Sequence, residues 1–452
     1  MKRERLIEKR KIKTNSKYID KGDIFVCALS SNKEQYLWDA LRKEASLVIT
    51  DKPIKHRKVL VVQKDINRYL KELLDKKYYC PLSNKTLIGI TGTDGKTTTA
   101  SILRYMLEGA SIGTNGLEFI DYHENLLNTT PSLDVLYDCF KKINEHHLTK
   151  IIMEVSSESY LTKRIPYLSF DIGIFLNISK EHLDKHPNFM NYLACKKELL
   201  QNSQLKIINR DTKYFKDITK GLTNYVTFGK KKSDLQILHY KLSFTKTAIK
   251  FKYQKKIYHL NSPLLGKYNV YNLAAAILCM FKMYYSFSNI QERILKIQGI
   301  PGRMEKLIIH GHLVIIDYAH TENATKNVLQ FLKKYTNKKI VTIVGCAGGR
   351  YKEKRANIGK TVLKYSHYVY LTMDDPRWEN PYDIIKEMLK KTKKKNYEIV
   401  LSRREAIIKA LKMLKKDELL LILGKGHDNY MAINDYKVPY SDIEVLNDNK
   451  KM

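Results

Sequence analysis

The stretch LIGITGTDGKTTTASILRYML, residues 87–107, decides the fold of this chain. An apolar run leads into a glycine-rich turn and then into a segment with helical periodicity, which predicts a strand, a phosphate-binding loop and a helix. The common pattern G-x-x-x-x-G-K-[ST] would place its first glycine at position 90, where the chain has Ile90. Gly92 and Gly95 still allow the backbone to approach phosphate oxygens. The stretch therefore predicts a nucleotide loop of a different pattern.

The residues that follow Gly95 bring the chemistry that a nucleotide needs. Lys96 would neutralise charge on the β- and γ-phosphates, and the hydroxyl of Thr97 would ligate Mg²⁺. The start of a helix adds backbone N–H groups and a dipole that attract anions. A chance cluster is the alternative in a lysine-rich chain, but the strand and helix on either side favour the phosphate loop.

Two more polar side chains follow apolar strands. Glu154 ends the apolar part of KIIMEVSS, and His182 comes after DIGIFLNIS. Because α/β sheets place ligands at the carboxyl ends of their strands, we expect both side chains in the cleft of the loop. A carboxylate there suits Mg²⁺. The alternative is structural: a satisfied polar strand end for Glu154 and a packing histidine for His182.

Strand and helix patterns alternate along most of the chain, which predicts an α/β fold with three domains. Residues 1–85 should form a small N-terminal α/β substrate domain, and 86–302 a central P-loop-type ATPase domain with a mostly parallel sheet. Within the latter, residues 222–262 alternate in the way typical of a small antiparallel meander. After the hinge-like IPGRMEK, residues 303–452 should form a C-terminal Rossmann-like α/β domain.

The composition narrows the class of protein. Against 47 Asp and Glu the chain has 81 Lys and Arg, a net charge of +34, which favours anionic substrates. The positive residues are spread along the chain without an RRM, KH, zinc-finger or helix-turn-helix pattern, so no nucleic-acid partner is expected. No apolar run reaches the roughly 20 residues of a membrane span, and the basic N-terminus lacks a signal-peptide core, so a cytoplasmic protein is expected. The six cysteines contain no C-x-x-C pair, which disfavours a zinc site or disulfide framework.

These motifs resemble those of the Mur ligases, the ATP-dependent amide ligases of peptidoglycan synthesis. The family loop T-G-T-x-G-K-T-T matches Thr91–Thr98, so Ile90 fits the family's own pattern. The resemblance covers almost the whole chain, with the motifs in the family's order. It implies ATP and Mg²⁺ as cofactors. It also implies transfer of the γ-phosphoryl group to a substrate carboxylate, followed by attack of an amine on the acyl phosphate.

The resemblance further implies which residues form the ATP and metal sites. The implied catalytic residues are Lys96, Glu154, His182 and Lys196. Thr97, Glu154 and His182 would hold the metal. Lys196 would join them if it is carbamylated, because a carbamate supplies oxygen ligands where an ammonium would repel the metal ion. The neighbouring Lys197 is the alternative interpretation of this lysine pair, as a solvated surface lysine. The implied ATP contacts are Gly92, Thr93, Gly95, Lys96, Thr97, Thr98, Asn269, Asn272, Arg303, Asp317 and His320. The last three lie in the predicted C-terminal domain, so closure would assemble the site.

Within the family, the tripeptide synthetase branch, which adds the third stem residue, resembles this chain best. The segments NTTPS (128–132) and EVSSESYLTKR (154–164) match those that hold the UDP-MurNAc-dipeptide. The implied contacts are Ser16, Asn128, Thr129, Thr130, Ser156 and Arg164. Glu158 replaces a family His and would repel an acidic group of the substrate. Ser16 lies in the segment NSKYIDKGDIFVCAL (15–29), which resembles the family's uridine-binding segment. The loop that follows is shortened to SSNKEQYLW, so its contacts to the UDP group cannot be matched.

The amino-acid pocket is implied by DDPRWENP (374–381), which resembles the D-N-P-R signature of enzymes that add meso-diaminopimelate. An arginine fork matches a carboxylate bidentately, and lysine lacks the second carboxylate, so Arg377 favours diaminopimelate. The implied contacts are Arg350, Asp375, Arg377, Gly424 and Asp428. Asp375 replaces a family Asn, Asp428 a Glu and Tyr351 an Asp, which leaves a related amino acid open.

The prediction is therefore a monomeric ATP-dependent ligase that joins meso-diaminopimelate to UDP-MurNAc-L-Ala-D-Glu. One alternative is a similar ligase that takes L-lysine or an analogue, or an acceptor without UDP. A folylpolyglutamate synthetase is disfavoured by NTTPS and DDPRWENP. A scaffold protein with a decayed site is disfavoured by the retained Lys96, Thr97 and Glu154, and a nucleic-acid binder by the spread of positive charge.

Overall fold

A computed structural model describes residues 7, 9–27, 34–165, 167–179 and 185–450 of the chain. The chain divides into two compact units. The first contains Met1–Thr91, Leu107–Ile174 and Cys195–Lys206, and the second contains Gly92–Met106, Phe175–Ala194 and Ile207–Met452. Both units mix helices with largely parallel sheets, which confirms the predicted α/β class.

The first unit opens with a four-stranded parallel sheet. Its strands, in spatial order, are β1 (Ile12–Lys13), β2 (Ile24–Cys27), β3 (Leu47–Thr50) and β4 (Val59–Val61). The helices of this part are α1 (Glu34–Arg42) and α2 (Ile66–Lys77), and Ser16–Tyr18 form a 3₁₀ turn. Every residue of β2 and β3 is buried, including the polar Thr50 at the end of β3, as expected for largely apolar strands of a parallel sheet. Asp65 caps α2 by accepting a hydrogen bond from the Arg68 N–H at 2.8 Å.

The nucleotide-loop stretch forms a strand, a turn and a helix, as predicted: β5 (Thr86–Thr91) and α3 (Lys96–Leu107). The elements that follow are β6 (Ala110–Gly113), β7 (Gly116–Phe119), β8 (Tyr122–Glu124), α4 (Leu133–Glu145), β9 (Lys150–Glu154), α5 (Ser157–Leu161) and β10 (Phe170–Phe175). The strands lie in the order β10-β5-β9-β6-β7-β8, with β9 parallel to both β5 and β6. The register pairs Ile90 with Glu154, so the Glu154 carboxylate stands where β5 is about to end.

The chain continues into an antiparallel meander. The elements from residue 189 to residue 295 are α6 (Phe189–Gln201), β11 (Ser203–Asn209), α7 (Phe215–Thr219), β12 (Tyr225–Gly229), β13 (Leu235–Leu242), β14 (Thr247–Tyr253), β15 (Lys256–Ser262), α8 (Lys267–Lys282) and α9 (Phe287–Leu295). The pairs β13/β14 and β14/β15 are antiparallel, which confirms that part of the meander predicted for residues 222–262. The first strand of that range, β12, instead pairs parallel with β13, so the prediction was wrong there. Along β14 alternate residues are buried, as expected for a strand with one solvated face.

The C-terminal part is built on a six-stranded sheet. Its elements are β16 (Glu305–Ile309), β17 (His312–Asp317), α10 (Glu322–Tyr335), β18 (Lys339–Val344), α11 (Glu353–Tyr365), β19 (Tyr368–Leu371), α12 (Pro381–Leu389), β20 (Tyr397–Ile399), α13 (Arg403–Met413), β21 (Glu418–Leu423), β22 (Tyr430–Ile433), β23 (Tyr436–Pro439) and α14 (Asp442–Lys450). The strand order is β16-β17-β21-β18-β19-β20, and only β16 pairs antiparallel; β22 and β23 form a separate hairpin. The carboxyl ends of β17, β18, β19 and β21 therefore meet at one edge, where α/β sheets bind ligands.

No helix within the described part of the chain combines the length and the apolar character that crossing a membrane requires.

A buried ion pair holds the last two helices of the C-terminal sheet together. The Arg403 Nε and Nη2 donate to the two carboxylate oxygens of Asp442 at 2.8 and 2.7 Å, and both side chains are 0% exposed. Nη2 also donates to the Leu423 carbonyl oxygen at 2.9 Å, at the end of β21. The pair thus connects α13, α14 and the sheet.

We expect Asp442→Asn to lower the free energy of unfolding by about 3–5 kcal/mol, because it leaves the buried Arg403 guanidinium without a charged partner. The matched control is Asp448→Asn, which breaks the exposed Arg404–Asp448 pair on the same two helices and should cost less than about 1 kcal/mol. Urea unfolding followed by circular dichroism compares the two. Equal shifts of the midpoint would contradict the structural role of the buried pair.

Candidate active site

One asparagine organises the loop that follows β5. The Asn177 Oδ1 accepts from the Asp94 N–H at 2.9 Å, and its Nδ2 donates to the Asp94 carbonyl at 2.8 Å. The Asn177 carbonyl accepts from the Thr93 N–H at 3.1 Å. Sequence analysis did not single out Asn177; its only signal was its place after the apolar run DIGIFL. These bonds fix the backbone of the loop through residues 93 and 94.

The predicted Asn269 and Asn272 lie against this loop. Gly95 has φ +89°, and a Cβ there would lie 2.5 Å from the Asn272 Oδ1, so only glycine fits. The Asn272 Nδ2 donates to the Asn269 Oδ1 at 3.0 Å, and the Asn269 Nδ2 donates to the Leu265 carbonyl at 2.7 Å. Hydrogen bonds thus connect the two buried asparagine side chains, and Asn272 packs against Gly95.

The lysine of the loop begins α3. The Lys96 Nζ donates to the carbonyl oxygens of Gly92 and Thr93 at 2.8 and 3.2 Å. Thr97 and Thr98 are buried in the first turn, which contains no acidic residue. The Thr93 hydroxyl accepts from the Ser179 N–H at 3.0 Å and is hydrogen-bonded to the Tyr192 hydroxyl at 3.1 Å. A cation and a helix N-terminus without acidic residues are what a phosphate requires.

A cavity of about 460 Å³ opens beside the loop. The predicted ATP residues that line it are Gly95, Thr98, Asn272, Arg303, Asp317 and His320. Sequence analysis missed other lining residues, among them Asp94, Asp211, Tyr268, Tyr271 and Asn323. The Tyr271 hydroxyl donates to the Asp211 Oδ2 at 2.9 Å, which ties α8 to the segment after β11. The volume falls in the range of small-molecule sites in proteins. The structure thus brings the loop and residues 303–320 to one cavity.

The C-terminal wall of this cavity carries a buried carboxylate and a cation. Asp317 accepts from the Met304 and Ala319 N–H groups, both at 2.8 Å. Burial raises the pKa of Asp317, although the Arg303 charge and these hydrogen bonds oppose the rise. The Arg303 guanidinium lies 4.3 Å from the ring centre of Tyr318, a cation–π contact that holds it in place.

His320 lies in the same wall as a neutral imidazole. Withdrawal from bulk water lowers the pKa of His320, and the positive charges of Lys354, Arg303 and Lys96 lower it further. Its Nδ1 is 2.9 Å from the Tyr318 carbonyl, so the neutral ring donates from Nδ1 and leaves Nε2 as an acceptor.

Glu154 in the first unit is surrounded by threonine and serine. Its Oε1 accepts from the Thr114 N–H at 2.8 Å, and its backbone carbonyl accepts from the Thr130 hydroxyl at 2.9 Å. The Thr130 Oγ1 in turn accepts from the Ser156 N–H at 2.9 Å, and the Thr129 and Thr114 hydroxyls are hydrogen-bonded at 3.1 Å. The predicted Glu154, Thr129, Thr130 and Ser156 therefore form one cluster.

Arg164 joins this cluster through its side chain. The Arg164 Nη1 donates to the Thr130 carbonyl at 2.9 Å, and Nη2 lies 3.8 Å from the Glu158 carboxylate. Glu158, the departure from the family pattern, is thus paired with the predicted substrate arginine. Asn128 is exposed on the same loop.

Ser16 lies in the 3₁₀ turn and is buried, and its hydroxyl has no hydrogen-bond partner among the described residues. In the shortened segment SSNKEQYLW, Glu34–Trp38 begin α1, and Ser30–Lys33 lie outside the described residues.

The predicted metal residues are distributed over both units. Thr97 belongs to the second unit, Glu154 and Lys196 belong to the first, and His182 lies outside the described residues. Within the described ranges, no three His, Cys, Asp or Glu side chains are grouped as metal ligands. Hydroxyl and carboxylate oxygens, as in Thr97 and Glu154, are the ligands that Mg²⁺ prefers, so the donor types fit. Lys196 is buried, whereas Lys197 is only half-buried.

The predicted amino-acid residues follow the carboxyl ends of β18, β19 and β21. Lys425, which is 0% exposed, lies among three carboxylates. Its Nζ is 2.8 Å from the Asp375 Oδ1, 3.6 Å from the Asp374 Oδ1 and 3.9 Å from the Asp428 Oδ2. Burial alone would lower the pKa of Lys425, but the three carboxylates raise it above its ordinary value. One buried ammonium thus faces a surplus of acidic groups.

Asp428 is the third carboxylate of this cluster, and Gly424 packs against Asp374. Burial raises the pKa of Asp428 to about 7; Lys425 opposes the rise, and Asp374 and Asp375 reinforce it. Gly424 has φ +110°, and a Cβ there would lie 2.6 Å from the Asp374 Oδ2. The cluster therefore needs glycine at this turn.

The two predicted arginines lie on neighbouring loops. Arg350 follows Gly349, and a Cβ on Gly349 would lie 3.3 Å from the Arg377 Cδ. Arg377 has the left-handed φ of +53°, and its Nε is buried without a hydrogen-bond partner among the described residues. A strained backbone and an unsatisfied donor are typical of ligand sites.

Comparison with known proteins agrees with these arrangements. The family profile described as the Mur ligase middle domain matches residues 90–280, and the one described as the Mur ligase, glutamate ligase domain, matches residues 302–426. Among solved structures, a UDP-N-acetylmuramoyl-L-alanyl-D-glutamate--2,6-diaminopimelate ligase aligns with a TM-score of 0.67 at 24% identity, over 98% of this chain and 94% of that one. A MurF ligase from Thermotoga maritima in complex with ADP aligns with a TM-score of 0.65 at 18% identity, over 98% of both chains. At these identities the likeness concerns the fold.

Curated relatives are more similar in sequence. The protein named UDP-N-acetylmuramoyl-L-alanyl-D-glutamate--2,6-diaminopimelate ligase from Aquifex aeolicus (strain VF5) is 33% identical over 451 residues, 96% of this chain and 92% of the relative. The protein of the same name from Rickettsia montanensis is 34% identical over 468 residues, 98% of this chain and 96% of the relative. Identity at this level over nearly the full length confirms the resemblance found in the motifs, and the chain belongs to the Mur ligase family.

Proposed function

We propose that this chain is an ATP-dependent amide ligase that adds meso-diaminopimelate, as the third stem residue, to UDP-MurNAc-L-Ala-D-Glu. The observation that carries the proposal is the cavity of about 460 Å³ that the phosphate-type loop shares with Arg303, Asp317 and His320. The acceptor and the amino acid are those for which the curated relatives are named.

In this proposal ATP binds in the cavity beside the loop. The N–H groups at the start of α3 and the ammonium of Lys96 face the phosphates, while Gly92, Thr93 and Gly95 shape the loop around them. Asn272 and His320 contact the nucleoside, and Arg303 adds positive charge from the C-terminal wall. The Lys96 Nζ, now bonded to two loop carbonyls, exchanges these bonds for phosphate oxygens.

The reaction has two steps. A carboxylate oxygen of the dipeptide attacks the γ-phosphorus, the bond from the γ-phosphorus to the bridging oxygen breaks, and ADP leaves. The amine of the amino acid then attacks the acyl carbon, phosphate leaves, and the nitrogen loses a proton. Thr97 and Glu154, with His182 and a carbamylated Lys196, would hold Mg²⁺, which offsets phosphate charge when bound. Lys96 and the loop N–H groups stabilise the charge on the transferring group.

The acceptor belongs at the cluster around Glu154. Thr130, Ser156 and Arg164 offer hydroxyls and a guanidinium suited to the carboxylates of a D-glutamyl dipeptide, and the Asn128–Thr129 loop lies beside them. The buried hydroxyl of Ser16, which has no hydrogen-bond partner within the described part of the chain, would serve as a donor to the uridine part of the substrate.

The amino acid belongs at the carboxyl edge of the C-terminal sheet. The distal ammonium of the amino acid binds near the carboxylates that surround Lys425, beside Asp428 and the turn at Gly424. Its distal carboxylate binds the fork of Arg377, with Arg350 beside it.

One observation favours L-lysine or an analogue as the second candidate. Asp375 replaces the asparagine of the D-N-P-R signature, and its Oδ1 accepts from both Lys425 and the Ala432 N–H. An ionised carboxylate cannot donate a hydrogen bond to a distal carboxylate, whereas an amide can. The central claim, ligation driven by ATP, is the same for both amino acids.

We expect the KM for the amino acid to fall as the pH rises from about 6 to about 8, because Asp428 ionises in this window and only its ionised form attracts an ammonium. The window follows from the Asp428 pKa of about 7. Steady-state kinetics of wild type and Asp428→Asn, each over this range, measure the effect. The amine of the amino acid titrates in the same way with both enzymes, so the difference between their profiles of KM against pH reports the ionisation of Asp428. Identical profiles would contradict the role of Asp428 in binding the ammonium.

The division into domains 1–85, 86–302 and 303–452, the cytoplasmic location and the monomeric state stay predictions within this proposal. Gel filtration of the full chain tests the last of them.

An isotope experiment tests the proposed chemistry. With ¹⁸O in the dipeptide carboxylate, attack on the γ-phosphorus transfers the label to the released phosphate. Label in the phosphate, dependent on the amino acid, is expected. Phosphate without label would contradict an acyl phosphate.

A further inference from the structure

We propose that the ion pair between Arg355 and Glu379 is a positioning element of the amino-acid site. It would set the spacing between the loop that carries Arg350 and the loop that carries Arg377. The inference rests on the proposed function, because it assigns both loops to amino-acid binding. Neither Arg355 nor Glu379 is placed to contact the substrate in that proposal.

The pair has the geometry of a fixed anchor. Arg355 lies on α11 and is only 1% exposed. Its Nη1 donates to the Glu379 Oε2 at 2.7 Å and its Nη2 donates to Oε1 at 2.9 Å, a bidentate contact. Its Nη2 also donates to the Ala347 carbonyl at 3.0 Å, at the start of the loop after β18. One guanidinium therefore holds both loops.

Glu379 repeats the connection from the other side. Its Oε1 accepts from the Gly349 N–H at 2.6 Å, so the loop after β19 holds the residue next to Arg350. The hydrogen bond from Arg355 and that from Gly349 lower the pKa of Glu379 to about 2, although burial opposes the shift. Glu379 is thus an ionised acceptor at neutral pH.

The backbones of the two loops are in direct contact. The Gly348 N–H donates to the Asp375 carbonyl at 2.7 Å, and a Cβ on Gly348 would lie 2.0 Å from the Pro376 carbonyl oxygen. Any change in the spacing of the loops therefore moves Asp375 and Arg377.

Arg377 depends on this support. It adopts a left-handed φ of +53°, and the hairpin of β22 and β23 holds it through hydrogen bonds with Ala432 and Asn434. Non-glycine residues persist in this conformation only where the surroundings hold them. The Arg355–Glu379 pair is the corresponding support on the side that faces Arg350.

The chain supplies a matched control in Glu387. The Arg355 Nη1 also donates to the Glu387 Oε2 at 2.9 Å, and the two glutamates are equally exposed, 25% for Glu379 and 26% for Glu387. Glu387 lies within α12, so its bond joins two helices and touches neither loop. Removing its charge takes an ion pair from the same arginine without releasing the site.

The experiment compares the kinetics of full-length wild type, Glu379→Gln and Glu387→Gln with ATP, UDP-MurNAc-L-Ala-D-Glu and meso-diaminopimelate. We expect Glu379→Gln to raise the KM for the amino acid by about tenfold. The new amide places an N–H donor opposite the Arg355 guanidinium, so the bidentate contact is lost. The loops that carry Arg350 and Arg377 then shift, and the two arginines bind the amino acid less well. The KM values for ATP and for the dipeptide should stay at the wild-type level. Glu387→Gln loses a single hydrogen bond from the same arginine, so it should leave all three KM values unchanged and lower the melting temperature less than Glu379→Gln does.

Two results would overturn the proposal: the same kinetic change in both variants, or an equal rise of all three KM values in Glu379→Gln. If Glu379→Gln does not fold, Glu379→Asp replaces it; its shorter side chain cannot hold Arg355 and the Gly349 N–H together, and the same selective rise is expected. Failure of the proposed function appears separately, because wild type would then release no phosphate with any amino acid. If wild type uses L-lysine instead, the KM for lysine is compared in the same way.

Discussion

Replacing Lys96 by alanine should reduce ADP formation by at least about 10²–10³-fold, because it removes the cation that faces the transferring phosphoryl group. The ammonium now lies at the mouth of the loop, where it bonds the carbonyls of Gly92 and Thr93. The threonines that follow it in α3, Thr97 and Thr98, are buried. A coupled assay of ADP release, with all substrates present, measures the loss, and circular dichroism reports whether the fold is kept.

The control for Lys96→Ala is Lys360→Ala, which removes the same charge from an exposed position on α11. We expect this variant to keep wild-type turnover and stability. Wild-type turnover in Lys96→Ala would instead show that the loop does not bind the transferred phosphate, and the assignment of residues 91–98 would be wrong.

Replacing Arg377 by alanine should raise the KM for meso-diaminopimelate by about 10²-fold, because a fork that binds a carboxylate through charge-assisted hydrogen bonds is lost. The KM for ATP should change little, since Arg377 does not line the nucleotide cavity. Arg377→Lys keeps the charge but not the fork, and an intermediate KM is expected. Initial-rate kinetics with each substrate varied in turn separate the effects.

The choice of amino acid supplies a second check on Arg377. L-lysine lacks the distal carboxylate, so any turnover of lysine should be insensitive to Arg377→Ala. An equal loss with diaminopimelate and with lysine, or an equal rise in the KM for ATP, would remove Arg377 from the pocket.

The parts of the site that local sequence carries were predictable. The Gly92–Thr98 segment contains its own glycines, cation and hydroxyl, and its flanking strand and helix have clear periodicities. Glu154 was predicted because a polar residue at the carboxyl end of an apolar strand in a parallel sheet lies at the edge where such sheets bind ligands. The parallel and antiparallel parts of the central sheet followed from the same periodicities.

The parts that depend on distant contacts were not predictable. Asn177 holds Asp94 across 83 positions of the chain, and nothing in the run DIGIFLN indicates which backbone it bonds. Gly95 was assigned to phosphate approach, but its contact with Asn272 is a packing constraint that appears only in the fold. A single sequence records residue types along the chain, while such contacts depend on how strands and helices pack.

The C-terminal pocket shows the same limit. Asp375 and Asp428 were singled out by resemblance, yet their shared partner Lys425 was not, because a lysine in a chain with 81 Lys and Arg carries no signal of burial. Sequence analysis did not single out Glu379 either. Its bonds to Arg355 and Gly349 give it a role that depends on the spacing of two loops.

The most direct test of the central claim is the product formed by purified full-length protein from ATP, Mg²⁺ and UDP-MurNAc-L-Ala-D-Glu. Parallel reactions contain meso-diaminopimelate, L-lysine or no amino acid, with phosphate release and product mass both recorded. We expect phosphate release with diaminopimelate and a product heavier by one diaminopimelyl residue. Release and the corresponding mass gain with lysine alone would keep the ligase and replace its amino acid. If protein that binds ATP gives neither phosphate release nor a new mass in any reaction, the chain is not a ligase for this acceptor.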